Sequence, residues 1–214
     1  FPFEVATEKP TRRDALAYYR TVVTHFGLTV RQYESVDAIT RDGGGFAVRS
    51  TPIGGASHET RARAIVVATG YFGTPNALGV PGEDLPHVTH DFREGHVAFQ
   101  RSALVVGGGN SAVETALDLC HAGARVTMVH FGPTFDKNIK PWVLPEFERR
   151  VKDGEIVVRW NSRVTRIECD RAHLSEPNGT RVVPAQHVFL MTGYTPHPGL
   201  LASLGVSTDP ASGV

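Results

Sequence analysis

A run of apolar residues that ends in three consecutive glycines most constrains what this chain of 214 residues can fold into. Residues 103–112 read Ala-Leu-Val-Val-Gly-Gly-Gly-Asn-Ser-Ala, which predicts a short strand, a tight turn and the start of a helix. Gly107, Gly109 and Ala112 have the spacing of a dinucleotide-binding turn. In such a turn the first glycine allows the bend, the second lets a pyrophosphate approach the backbone, and a small third residue lets helix and strand pack closely.

The sequence on both sides of the turn supports this interpretation. Residues 104–106 predict the strand, residues 113–119 an apolar helix face, Gly123 the helix end and residues 124–129 a second strand. The phosphates of a dinucleotide would then lie against free N–H groups at the positive end of the helix dipole. A turn that merely joins a strand to a helix, in an α/β protein without a nucleotide, is the alternative.

The end of the second predicted strand discriminates between cofactors. An acidic residue there would bind the ribose 2′-hydroxyl of NAD and repel the 2′-phosphate of NADP. His130 stands at this position, and Lys137 and Lys140 follow in the next loop, so NADPH is favoured over NADH. Phe131 comes next instead of an arginine, and a histidine offers less charge complementarity than a guanidinium. The alternative for both lysines is that they are solvated loop charges.

The composition argues against several functions. Lys plus Arg and Asp plus Glu both number 22, so no net field draws the protein to nucleic acid or to an anionic membrane surface. No apolar run approaches the roughly 20 residues that cross a bilayer, and we expect a cytoplasmic protein. The histidines lack metal-ligand spacing, so no metal site is predicted. Cys120 and Cys169 are predicted to be buried apolar residues rather than a disulfide or redox pair.

The rest of the chain predicts alternating helices and strands. Thr11 and Asp14 resemble a capping box, which predicts a helix that ends at Gly27. A further helix is predicted at about residues 146–152. The other predicted strands are 30–33, 46–49, 62–68, 156–160, 163–168 and 187–191.

Two Thr-Gly-Tyr segments, at residues 69–71 and 192–194, flank the glycine turn. Four motifs include or accompany them: Gly-Gly-Gly-Asn-Ser-Ala-Val-Glu (107–114), Ile-Lys-Pro-Trp-Val-Leu-Pro (139–145), Met-Thr-Gly-Tyr (191–194), and Ala-Thr-Gly-Tyr (68–71) leading to Pro-Gly-Glu-Asp-Leu-Pro (81–86). Together they resemble the flavin and pyridine-nucleotide disulfide oxidoreductases, and in particular the bacillithiol disulfide reductase family, a thioredoxin-reductase-like group. The resemblance covers most of the chain. The glycine motif is generic for the superfamily, whereas the Lys-Pro-Trp loop is fairly specific to this family.

The resemblance implies an α/β fold in which a Rossmann-like NAD(P)-binding domain, residues 100–194, is inserted in an incomplete FAD-binding domain. The latter would comprise residues 1–99 and, where the chain returns to it, residues 195–214. The implied activity is that of an NADPH-dependent flavoprotein oxidoreductase that reduces the disulfide of a low-molecular-weight thiol. The implied cofactors are NADPH and FAD, and the implied partner is a small-molecule disulfide; a homo-oligomer is left open.

Two departures limit what the resemblance implies. The family usually has an arginine where Phe131 stands, so recognition of the 2′-phosphate would shift to His130 and a nearby lysine, or weaken. The N-terminal FAD glycine turn with its adjoining cysteine, and the final FAD strand, are not in the sequence. We therefore expect the central part of a larger enzyme, which by itself would be inactive and would not hold FAD tightly.

The cofactor-binding residues are predicted from the turn geometry and from the resemblance. The pyrophosphate cradle, with Asn110 or Ser111 also capping the helix, comprises Gly107, Gly108, Gly109, Asn110, Ser111 and Ala112. Capping alone is the alternative for Asn110 and Ser111. The resemblance places Glu114 near the nicotinamide, and complementation of the helix dipole from the first turn is its alternative.

The remaining predicted contacts lie outside the turn. His130, with Lys137 or Lys140, would contact the 2′-phosphate. Backbone at Thr69, Gly70, Thr192 and Gly193 would approach the cofactors closely, and a domain-crossing hinge is the alternative. Catalytic residues are not predicted.

Two other functions compete with the reductase. A flavin monooxygenase also combines an Ala-Thr-Gly segment with an inserted NADPH domain. Its Phe-x-Gly-x-x-x-His signature does not fit, because Gly82 and His87 are five residues apart rather than four. The third hypothesis is a nucleotide-binding regulatory module without catalysis.

Overall fold

In the computed structural model, which describes residues 10–70, 72–136, 139–195 and 199–207, the chain divides into two compact units. One unit comprises the described residues up to 68 together with residues 199–207. The other comprises the described residues from 69 to 195. The parallel sheet and the glycine turn belong to the second unit.

The first unit pairs a helix with an antiparallel sheet. Helix α1 (Arg12–Phe26) begins with a capping box, in which Asp14 N donates to Thr11 Oγ1 at 3.2 Å and Thr11 N donates to Asp14 Oδ2 at 2.8 Å. Hydrogen bonds from the hydroxyl and then the N–H of Thr11 lower the pKa of the Asp14 carboxyl. The helix ends at Gly27 in the left-handed conformation. The sheet has the order β1 (Glu34–Asp42), β2 (Gly45–Pro52), β3 (His58–Ala62), and the short helix α4 (Gly199–Ser203) contacts β1.

The second unit is built on a five-stranded parallel sheet. Its strands are β4 (Val88–Thr89), β5 (Ser102–Val106), β6 (Arg125–Val129), β7 (Ile156–Arg159) and β11 (His187–Leu190), in the order β4-β11-β5-β6-β7. Helix α2 (Asn110–His121) connects β5 to β6, and helix α3 (Leu144–Lys152) lies between β6 and β7. The chain moves from β5 outward to β7 and then returns to the other side of β5. The strand order therefore reverses between β5 and β11, where α/β sheets bind ligands.

A second, antiparallel sheet covers the other face of the parallel sheet. It has the order β10 (Gly179–Pro184), β9 (Arg171–Glu176), β8 (Arg163–Ile167). Alternate residues of β5 enter two cores: Val105 packs with the helices, and Leu104 packs with the antiparallel sheet. All five residues of β5 are buried as a result, as expected for a parallel strand that is covered on both faces.

The mixed α/β class and most predicted elements are confirmed. The strands predicted at 30–33 and 62–68 are wrong, because the chain turns at 32–33 before β1 and is irregular after β3. The pattern also missed strands β1, β3, β4, β9 and β10. Cys169 is exposed in the turn between β8 and β9, so its predicted burial is also wrong, and Cys120 is partly buried; both thiols are free. The structure describes no helix that is both long and apolar enough to cross a membrane.

Phe147 offers a test of how far the helix side of the core stabilises this unit. The side chain is fully buried between α3 and the sheet, and its ring contacts Phe135 edge-on at 5.2 Å between centroids. We expect Phe147→Ala to lower the free energy of unfolding by about 3–5 kcal/mol, because the cavity cannot close completely. Urea unfolding followed by tryptophan fluorescence measures the loss. Phe99→Ala, at a ring that is 51% exposed, is the control and is expected to cost about 1 kcal/mol; equal losses would contradict the prediction.

Candidate cofactor-binding site

A cavity of about 770 Å³ lies in the second unit at the carboxyl edge of the parallel sheet. The strands β5, β6 and β11 run parallel, so the segments after Val106, Val129 and Leu190 meet at one edge. The glycine turn, residues 130–131 and residues 191–194 all line the cavity. The site thus coincides with the point where the strand order reverses.

Gly107 has to be glycine because of its backbone and its neighbour. Its φ of +147° lies in the region that side chains avoid, and a Cβ would collide with the carbonyl oxygen of Met191 at the end of β11. The Gly107 N–H donates to Val129 O at 3.0 Å, which ties the turn to β6. The first glycine therefore locks the turn between the two strands that flank β5.

Gly108 and His130 pack against one another beneath the turn. A Cβ on Gly108 would overlap the imidazole ring, and the His130 side chain is 4% exposed. Its Nε2 lies 3.9 Å from Asp136 Oδ1, and its buried Nδ1 has no hydrogen-bond partner in the part of the chain that the structure describes. His130 therefore supports the turn from beneath, with one buried ring nitrogen next to Gly108 that has no hydrogen-bond partner among the described residues.

Gly109 is the residue of the turn with the most open surroundings. It is the N-cap of α2 with φ −92° and ψ −176°, and a Cβ there would meet only Asp136 Oδ2, at 3.3 Å. Ala112 is completely buried against the strand. The prediction that Asn110 or Ser111 caps the helix is wrong, since the cap position is a glycine that has no side chain. An unobstructed glycine at a helix N-terminus fits a pyrophosphate cradle.

Asn110, Glu114 and Lys140 form a tether between α2 and the loop before α3. Asn110 Oδ1 accepts a hydrogen bond from Lys140 N at 2.7 Å, and Lys140 Nζ forms an ion pair with Glu114 Oε1 at 2.7 Å. Glu114 lies in the second turn of α2 rather than the first, which removes the dipole explanation. Lys140 is not among the residues that line the cavity. Lys137 lies outside the described residues.

Of the two Thr-Gly segments, the structure brings only the second to the cavity. Thr192 Oγ1 donates to Asn76 O at 2.6 Å, and Asn76 N donates to Gly193 O at 3.0 Å. Thr192 and Gly193 line the cavity opposite the glycine turn. Thr69 and Gly70 are exposed and are not part of the lining, and Tyr71 is outside the described residues. The role of the first segment at a cofactor stays a prediction.

Tyr194 forms part of the cavity wall, not of the core. Its hydroxyl donates to His90 O at 3.0 Å and to Asp91 Oδ1 at 3.2 Å, and its ring contacts Phe72 at 5.1 Å between centroids. Burial, together with the hydrogen bond and negative charge of Asp91, raises the pKa of the phenol. The phenol therefore stays protonated and acts as a donor at neutral pH.

Sequence reasoning missed several residues of the lining. They carry no motif and come from segments that are far apart along the chain, so no local signal in the sequence indicates them. The missed polar and aromatic residues include Phe72, His90, Asp91, Asp136, Ser162 and Arg163. Neither cysteine lines the cavity, and among the described residues no three His, Cys, Asp or Glu side chains are grouped to hold a metal.

The fold and the cavity together define the dinucleotide-binding class of α/β proteins. The glycine turn follows the central strand and opens a helix, and the cavity lies where the strand order reverses. Gly107 and Gly108 of the turn line the cavity, and a Cβ on either residue would collide with a neighbouring group. The residues present fit a dinucleotide.

The chain belongs to the pyridine nucleotide-disulphide oxidoreductase family, which matches residues 1–213. It is 39% identical over 213 residues to bacilliredoxin reductase Bdr of Bacillus subtilis, covering 99% of this chain and 64% of that protein. It superposes on the bacillithiol disulfide reductase Bdr from Bacillus cereus with a TM-score of 0.95 and 40% identity, covering 100% of this chain and 66% of the other. The Staphylococcus aureus enzyme gives a TM-score of 0.90 and 36% identity, covering 98% of this chain and 64% of the other. These findings confirm the resemblance, and the chain spans about two thirds of the length of these relatives.

The three glycines should respond differently to substitution. Gly109→Val should abolish dinucleotide binding with little loss of stability, because its side chain enters the cradle and meets only a flexible carboxylate. Gly108→Ala should unfold the turn region, because the buried ring of His130 occupies the space that the methyl group needs. Calorimetric titration with NADP⁺ and thermal melting measure the two effects. Unchanged affinity in folded Gly109→Val, or a fully stable Gly108→Ala, would refute this assignment.

Proposed function

We propose that this chain is the nucleotide-binding part of an NADPH-dependent flavoprotein oxidoreductase that reduces the disulfide of a low-molecular-weight thiol. The observation that carries the proposal is a glycine cradle at the strand reversal in a chain that matches the reductases along its whole length. The names of these relatives refer to bacilliredoxin and bacillithiol disulfide, so the substrate class is a small-molecule thiol disulfide. When bound, NADPH would provide the hydride and FAD would provide the redox centre between it and the disulfide.

Within this proposal the chain's own residues bind and orient the nucleotide. Backbone N–H groups of residues 108–111, at the positive end of α2, receive the pyrophosphate. Thr192 and Gly193, held by Asn76, border the same cavity from the end of β11. The ion pair between Lys140 and Glu114 holds the loop before α3 against α2.

The domain assignment is also part of the proposal. Residues 100–194 would bind NADPH, and residues 1–99 and 195–214 would contribute to FAD binding. In the structure, the described residues from 69 to 99 belong to the same compact unit as the parallel sheet, and β4 within this segment pairs with β11. Their backbone can therefore support the NADPH cavity while Thr69 and Gly70 serve the flavin.

The proposed activity is tested with the purified flavoenzyme of which this chain would be the nucleotide-binding part, supplied with FAD, since we expect the chain by itself to bind the nucleotide and to be inactive. We expect NADPH oxidation, followed at its absorbance band, to depend on added bacillithiol disulfide and to disappear in Gly109→Val. Oxidation that depends on oxygen and an organic acceptor instead would favour the monooxygenase. Tight NADPH binding without oxidation by any acceptor would favour the non-catalytic module.

Asp136 provides an electrostatic test of where the pyrophosphate lies. Its side chain is 56% exposed and borders both Gly109 and His130, so its negative charge faces the cradle. Asp136→Asn should strengthen binding of NADP⁺ and NAD⁺ by the same factor, about two- to tenfold at low salt, and the gain should shrink as salt screens the charge. Calorimetry measures both affinities, with Asp170→Asn in the exposed β8–β9 turn as control. A gain confined to one dinucleotide would place the pyrophosphate elsewhere.

A further inference from the structure

Arg163 stands on the cavity wall beside the end of β6, where the adenosine ribose of a bound dinucleotide lies in this class of fold. Phe131, the second residue after β6, cannot bind a phosphate. We propose that Arg163, which lies 32 residues further along the chain (163 − 131), supplies the guanidinium that binds the 2′-phosphate of NADP(H) and so sets the preference for NADPH. This inference rests on the proposed function and names the residue that reads the cofactor.

Backbone hydrogen bonds hold Arg163 at this place. Ser162 N donates to His130 O at 3.0 Å, and Asn161 N donates to Gly132 O at 3.0 Å. Asn161 adopts a positive φ of 51°, which lets the chain turn sharply out of β7 and into β8. The start of β8 is therefore joined to the segment that follows β6, and Arg163 is positioned by secondary structure rather than by a free loop.

The side chain of Arg163 is oriented by an aromatic ring. Its guanidinium carbon lies 4.9 Å from the centroid of Phe131, within the range of a cation–π contact. A guanidinium that lies over a ring keeps its N–H edges available for hydrogen bonds in its own plane. Phe131 thus does not bind the phosphate itself, and its ring instead orients the arginine that would bind it.

The other charged groups near this position do not serve the same purpose. Arg163 is the only lysine or arginine among the described residues that line the cavity, and none of the ion pairs in the described part of the chain includes it. Lys140 is paired with Glu114 on α2. His130 lies beneath the turn, and Asp136 faces Gly109, so its charge acts on the pyrophosphate of either dinucleotide. Among the described residues that line the cavity, the group that can distinguish NADP from NAD by a full charge is Arg163.

The experiment compares nucleotides that differ only in the 2′-phosphate. NADP⁺ and NAD⁺, and the fragments 2′,5′-ADP and 5′-AMP, are titrated into the purified protein at low salt and followed by calorimetry. Arg163→Ala should weaken NADP⁺ and 2′,5′-ADP by about 10- to 100-fold and leave NAD⁺ and 5′-AMP within about twofold, because a charge-assisted hydrogen bond is lost. Arg163→Lys should fall between the two, since it keeps the charge and loses the planar donor pair.

Two further variants separate recognition from general charge and from structure. Arg166→Ala removes the same charge from the same strand outside the cavity, and we expect the NADP⁺ to NAD⁺ ratio to stay unchanged. Adding Phe131→Arg to Arg163→Ala places a guanidinium at the strand end and should restore most of the preference. Thermal melting of each variant verifies folding.

The outcomes distinguish the inference from the function on which it rests. Wild-type protein that binds neither dinucleotide overturns both. Wild-type protein that prefers NADP⁺, with the same preference in folded Arg163→Ala and Arg166→Ala, preserves the proposed function and overturns the role of Arg163. Equal losses for NADP⁺ and NAD⁺ in Arg163→Ala also overturn it, since the arginine would then shape the site without reading the 2′-phosphate.

Discussion

The site depends on two glycines whose backbone lies in close contact with neighbouring groups, because they have no side chain. Gly107 lies against the carbonyl of Met191, and Gly108 lies against the ring of His130. These two contacts join the ends of β5, β11 and β6 into one surface, and the helix N-terminus at Gly109 then opens onto the cavity. A methyl group at either position would push the turn away from its neighbours and misplace the helix that is to receive the phosphates.

In the proposed binding mode, the charges around this surface would correspond to separate regions of the nucleotide. The pyrophosphate end relies on N–H groups and a helix dipole, with the carboxylate of Asp136 opposed to it. The adenosine end has Arg163 stacked on Phe131. The end of β11 contributes hydroxyl and backbone groups together with the protonated phenol of Tyr194. In this arrangement Arg163 offers a full positive charge to the 2′-phosphate, whereas the pyrophosphate would rely on neutral N–H donors.

How much could be predicted depended on the distance between interacting residues in the chain. The β5–turn–α2–β6 unit was predicted closely, since its periodicity and its glycines are local signals. Strands β9 and β10 were missed because they bury few apolar residues, Ala172 and Leu174 in β9 and Val183 in β10, so their local apolar signal is weak although these residues complete the second core. The strand predicted at residues 62–68 was wrong although the run is apolar: Ala62 ends β3, and residues 63–68 join no sheet.

By itself the sequence determined the glycine turn, the α/β class and the family. Each of these follows from short motifs or periodic patterns, whose residues are neighbours along the chain. Only the tertiary structure decided which distant groups share the cavity. It placed His130 beneath the turn, paired Lys140 with Glu114, and brought Arg163 to the ring of Phe131. The physical reason is parallel strand pairing, which aligns the carboxyl ends of strands that are far apart in sequence and leaves no trace of that alignment in the residues between them.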